Sequence, residues 1–199
     1  AADGAVDWGT SSFRLWLLDS AGGILGERRS DQGMMAAAKP GFATVLQSHL
    51  DALGVPADLP VMICGMAGAR QGWVEAGYLD VPAALGDCIG QAVRVPGEGR
   101  DVRILPGLAQ RDADRTDVMR GEGTQLLGAL GDAQGSHLVC MPGTHSKWVR
   151  VEDGRVTGFS TFMSGELFDV LSKQSILSHA VADAAPFDGT HEAFRTAIA

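Results

Sequence analysis

The chain has 199 residues, 45% of them hydrophobic and 20% charged, which is enough for one large or two small domains with a buried core. Its formal net charge is −8 and Lys and Arg form no run; a nucleic-acid surface is excluded, and an anionic ligand must be held by local chemistry. No stretch approaches the ~18 apolar residues of a membrane span. The three cysteines, Cys64, Cys88 and Cys140, lack metal-type spacing; with no secretory signal in view, they point to a reducing cytoplasm and to buried thiols in the runs VMIC and LVC.

In chain order, the pattern predicts strands at 4–8, 13–19 and 24–29 and a helix at 41–53. Along the second strand Phe13, Leu15 and Leu17 share one face, and Arg14, Trp16 and Leu18 the other. A buried strand at 61–65 (VMICG) leads into a Gly-rich loop, followed by a helical stretch at 82–92 and a strand at 102–105. The segment 117–130 reads as helix, with Gly121 and Gly123 weakening its start. Residues 138–161 then repeat the opening: apolar strand, corner, strand, Asp-Gly turn, strand, and a helix at 165–173. Gly9-Thr10-Ser11-Ser12 and Gly143-Thr144-His145-Ser146 share G-T-x-S, and a glycine turn follows 13 residues after Gly9 and 11 after Gly143. This duplication predicts an α/β architecture with a cleft between two halves, divided at 1–132 and 133–199.

A Gly-Thr-x-Ser corner leaves backbone N–H groups without ladder partners, and glycine lets a ligand come close. Such an amide concavity suits phosphate oxygens; residues 9–12 and 143–146 together would hold neighbouring phosphates of one nucleotide. That explains the carboxylate of Asp7 at the first corner. It would repel a bare polyphosphate but suits Mg²⁺, which keeps most of its waters and takes one or two carboxylates plus the phosphates. The plainer alternative is an Asp that accepts hydrogen bonds from its own turn.

The segments DWGTSSFR, GMAGARQGW, ILPGL, VMRGEGTQL, MPGTHSKWV and FMSGEL, in that order between about residues 5 and 180, resemble the 2-dehydro-3-deoxygalactonokinase family of the sugar kinase, Hsp70 and actin superfamily. The resemblance implies a duplicated ribonuclease-H-like, actin-like ATPase fold with a complete first domain and a partial second. It also implies transfer of the ATP γ-phosphate to the 6-hydroxyl of 2-dehydro-3-deoxy-D-galactonate. ATP and Mg²⁺ are the expected cofactors; a homodimer is an expected state, and a nucleotide-binding regulatory or chaperone-like module without a sugar substrate is the alternative. By resemblance Glu122 is the catalytic base, with Asp117 in reserve, although Gly123 stands where the family has a second glutamate. A solvated first-turn residue is the other reading of Glu122.

Arg14 would meet the transferring phosphate or the substrate carboxylate, or else be a surface residue; Lys147 is a similar case, and His145 is a corner donor. The loop at 63–79 resembles a sugar-pocket lining, with Arg70 for the carboxylate, Gln71 for hydroxyls and Trp73 as an apolar wall or as core packing. Ser164 is expected to cap the helix that follows the second hairpin. No adenosine-binding Gly-rich segment follows residue 165, so the chain as it stands is not expected to be a competent kinase.

Overall fold

The alternating opening segments form the centre of a mixed α/β fold, in a computed structural model that describes residues 3–131, 133–182 and 189–197. Strands β1 (Asp3–Trp8), β2 (Phe13–Leu18) and β3 (Ile24–Ser30) make an antiparallel meander. Helices α1 (Met34–Ala37) and α2 (Phe42–Ala52) lead to β4 (Val61–Gly65), which pairs parallel to β1. With β7 (Val93–Arg94) and β8 (Val102–Ile104) they complete a sheet of order β3-β2-β1-β4-β8-β7. The period-2 pattern puts Val6, Trp8, Phe13, Leu15, Val61 and Ile63 on the face covered by Phe42, Val45, Leu46 and Leu50 of α2, all buried. Asp7, Arg14, Trp16, Met62 and Cys64 lie on the opposite face.

The middle of the chain departs from the sequence expectation. In place of a helix over 82–92, a strand β6 (Ala83–Ala84) and a one-turn helix α3 (Asp87–Gly90) follow β5 (Tyr78–Asp80). Pro82 cannot donate within a helix, and Ala83 and Ala84 pair with a later strand. The segment 117–130 also divides. Asp117–Met119 is strand β10, antiparallel to β9 (Gly107–Gln110), and α4 runs only over Glu122–Leu130. The break is Gly121, at φ +102°, a conformation that admits glycine and strains other residues.

Strands β11 (Ser136–Met141), β12 (Ser146–Glu152) and β13 (Arg155–Phe162) form the second meander, in the order β11-β12-β13-β6. Val149, Val151, Val156 and Phe159 close a second core with Leu79, Leu85, Leu108, Met119 and Leu126. Helices α5 (Ser164–Gln174), α6 (Ser178–Val181) and α7 (Glu192–Ala197) follow. Two compact units result: residues 1–141 with 148–160, and residues 142–147 with 161–199.

Cys64 and Cys88 are buried and Cys140 is exposed. On β11 the residues His137, Val139 and Met141 turn partly inward, so Leu138 and Cys140 face out. Among the described residues no helix is long and apolar enough to cross a membrane.

Candidate active site

Close glycine packing brings three segments of the first unit together beyond the carboxyl ends of β1 and β4. Gly65 has φ +95°, and a β-carbon there would stand 2.5 Å from the Trp8 carbonyl oxygen. Gly121 packs on it in turn, the position of its absent β-carbon lying 3.3 Å from the Gly65 Cα. The start of α4 is thereby seated on the tip of the β1–β4 pair, delivering Glu122 and Thr124 to the neighbourhood of Asp7. Arg120 secures the seat from the other side. Its guanidinium donates to the carbonyls of Ala76 at 2.6 Å and Gly77 at 3.3 Å, and lies over the Tyr78 ring, 4.4 Å from the centroid.

Cys64 marks where these groups meet. Its thiol donates to Asp7 Oδ1 across 4.0 Å and is hydrogen-bonded with Thr124. Burial, then the nearby charges of Asp7 and Glu122, push its pKa up to about 12. It is therefore held as a neutral thiol near the carboxylates of Asp7 and Glu122, unsuited to act as a nucleophile. Burial also holds the Asp7 carboxyl above the usual carboxylate range, against the opposing pull of Arg14, whose guanidinium is 3.9 Å away. Arg14 remains exposed. On this face a cavity of about 410 Å³ is lined by Asp7, Arg14, Trp16, Met62, Cys64, Thr124 and Gln125, among others.

The first corner presents donors. Gly9 N–H closes the turn on the Ser12 carbonyl at 2.8 Å. Among the described residues the N–H groups of Thr10, Ser11 and Ser12 donate to no acceptor, and Thr10, Ser11 and Ser12 are exposed.

In the second unit Gly143 N–H donates to Ser146 Oγ at 3.3 Å, and Ser146 Oγ lies 2.5 Å from Ser164 Oγ. Ser164 is thus the first residue of α5, bound to the corner; the cap position is Met163, with no side-chain cap, which corrects the expected N-cap. His145 Nε2 donates to Glu166 Oε2 at 2.5 Å. Thr144 is exposed, whereas Lys147 is buried and its Nζ donates to Thr161 Oγ1 at 2.7 Å.

Within the first unit, then, the structure brings Arg14 close to Asp7 and sets Asp7 and Glu122 both near Cys64. Arg70 and Gln71 lie exposed on the loop after β4 and are absent from the cavity lining. Trp73 packs, its ring 6.2 Å from Trp8 and 6.0 Å from Phe42. Sequence reasoning missed Cys64, Thr124 and Arg120; the last two lie in VMRGEGTQL, where a Gly between two polar residues signalled the close approach.

Comparison with known proteins settles the family. A model of the family described as 2-keto-3-deoxy-galactonokinase matches residues 7–199. The chain belongs to that family. The 2-keto-3-deoxy-galactonokinase relatives include a Rhizobium meliloti (strain 1021) protein named a 2-dehydro-3-deoxygalactonokinase, 63% identical over 195 residues. Another is the 2-dehydro-3-deoxygalactonokinase of Escherichia coli (strain K12), 35% identical over 194 residues. Each alignment takes in 98% of this chain, but the chain spans only 64% and 63% of those proteins. A crystal structure of a 2-dehydro-3-deoxygalactonokinase protein from Sinorhizobium meliloti superposes with a TM-score of 0.94 at 62% identity, over 98% of this chain and 65% of that one.

Proposed function

We propose that this chain carries the acceptor and phosphate-binding machinery of an ATP-dependent kinase. The reaction is transfer of the γ-phosphoryl group to the 6-hydroxyl of 2-dehydro-3-deoxy-D-galactonate, a step in galactonate breakdown. The observation that carries this reading is the meeting of Asp7 and Glu122 at one buried thiol, beside a corner whose amides at 10–12 have no acceptor among the described residues. The meander, parallel β4 and second meander support a duplicated ribonuclease-H-like plan, with a boundary near residue 132. The free cysteines fit a reducing cytoplasm.

Phosphoryl transfer is mostly positioning and charge neutralisation. In this reading the exposed N–H groups and hydroxyls of residues 10–12 hold phosphate oxygens, and the corner at 143–146 of the other unit is a phosphate-binding corner of the same kind. Mg²⁺ binds through one or two carboxylates and the phosphates themselves, and Asp7 would be its protein contact. Bound there, Mg²⁺ would neutralise phosphate charge. Glu122 accepts the hydroxyl proton, and Arg14 steadies either the transferring phosphate or the substrate carboxylate. Arg70 and Gln71 are exposed donors available to the sugar acid.

The test is ADP release by the full-length protein with MgATP, with and without 2-dehydro-3-deoxygalactonate. Substrate-dependent ADP release is expected, and Glu122→Gln should lower kcat by about 100-fold or more, the usual worth of a general base. ADP release indifferent to the sugar acid would refute the kinase reading; a variant within about threefold of wild type would remove Glu122 as base.

A further inference from the structure

A hairpin tip carries carbonyl oxygens as well as amides, and a carbonyl aimed at a phosphate repels it. Each corner binds an anion only if something turns its carbonyls away. In both corners that something is the first turn of the following helix. Gly9 and Thr10 carbonyls accept the N–H groups of Met34 and Met35 at 2.9 and 3.1 Å; the Thr144 carbonyl accepts the Glu166 N–H at 3.0 Å. First-turn amides have no acceptor within their own helix, so the two sets of orphan groups satisfy each other.

The helices come this close only because a glycine stands at the start of each, Gly33 as the cap of α1 and Gly165 as the second residue of α5. A β-carbon on Gly33 would stand 2.5 Å from the N, Cα and C atoms of Ser11. One on Gly165 would stand 2.4 Å from the Gly143 oxygen and 2.9 Å from the Thr144 Cα. Conformation does not demand glycine at Gly33, whose φ is −64°, and Gly165 is not among the glycines of positive φ. Proximity alone demands it, and in both cases the obstructing atoms are corner backbone, which no rotamer change can clear. Trp8 Nε1, donating to the Gln32 carbonyl at 3.0 Å, fixes the first loop further.

We propose that Gly33 and Gly165 are positioning residues for the two phosphate corners. By admitting the helix amides to the corner carbonyls, they leave the remaining amides of each corner free to face a phosphate oxygen. This deepens the kinase reading and rests on it. The test compares Gly33→Ala and Gly165→Ala with wild type in the full-length enzyme, measuring KM for MgATP, KM for the sugar acid, and the melting temperature with and without MgADP. Each variant is expected to raise KM for MgATP by about tenfold, the worth of one hydrogen bond to a charged acceptor, with KM for the sugar acid within about twofold.

Leu50→Ala, on the buried face of α2, serves as the control. It should lower the melting temperature and leave both KM values in place. If an alanine variant does not accumulate, Met35→Pro removes only the amide serving Thr10, and proline is tolerated in a first turn; it should raise KM for MgATP alike. Unchanged KM for MgATP in the variants, or a fall in melting temperature with no selective change as in Leu50→Ala, overturns the role of the glycines while leaving the kinase reading standing. A wild-type enzyme that neither turns over MgATP nor is protected by MgADP overturns both.

Discussion

At the scale of single residues, the site and the core place ionisable groups in opposite circumstances. Asp7 keeps an exposed cation nearby, whereas His49 is buried against Phe13, its ring stacked at 4.4 Å. Arg28 Nε donates to its Nδ1 at 3.5 Å, which leaves Nε2 to donate to Gln32 Oε1 at 2.9 Å. Protonating Nδ1 would aim a second N–H at a guanidinium. Burial first, and then the Arg28 charge, accordingly hold the His49 pKa below its ordinary value. The unfolded chain therefore binds the proton more readily. The stability from a neutral His49 is fully present above the unfolded value of ~6.5 and is lost as pH falls through the folded one. The urea midpoint of wild type should fall between about pH 7 and pH 5, and that part of the slope should vanish in His49→Gln. Equal slopes in the two proteins would show that His49 does not titrate differently on folding.

Among the elements, glycine placement decides more than propensity does. Gly65→Ala should cost about 2–3 kcal/mol or more, because it combines a strained φ with a backbone collision at the Trp8 carbonyl. The measurement is the urea midpoint alongside kcat, and both should fall, since the seat of α4 moves with Gly65; a variant of wild-type stability would show that the strand tip can relax. The same dependence explains what could be read from the chain alone. Strands β1 to β4 and helix α2 were legible, because an apolar, alternating or helical pattern ran for five residues or more and turn residues stood beside it, Gly9 after β1, Gly23 before β3, Pro60 before β4, and Gly41 and Gly54 about α2. Strands β5, β6, β9 and β10 were not, being two to four residues long and fixed by tertiary pairing rather than by pattern. Asp7, Glu122 and the corner residues were visible as chemistry in sequence. The meeting of Asp7 and Glu122 at Cys64 was not, because it depends on Gly121 stacking upon Gly65, two residues 56 positions apart.

For the molecule as a whole, a formal charge of −8 makes binding of a polyphosphate a question of how its charge is neutralised. Asp7 adds to the difficulty at the corner itself, and the nearest cation, Arg14, is exposed and therefore screened by solvent and salt. Free ATP should consequently bind weakly and MgATP well, since the metal offsets both the phosphates and Asp7. A ligand that binds only the folded state raises apparent stability by ~2.7 kcal/mol at 100 times its Kd. Thermal unfolding of the full-length protein should therefore shift upward with MgATP or MgADP and return to the ligand-free value when EDTA is added in excess. Asp7→Asn gives the sharper measurement. It removes a carboxylate that repels ATP and, in this reading, the protein's contact with the metal, so the stabilisation by MgATP should shrink while that by ATP in EDTA stays level or grows. A variant that responds to MgATP as wild type does would leave Asp7 as a turn residue without a metal to hold.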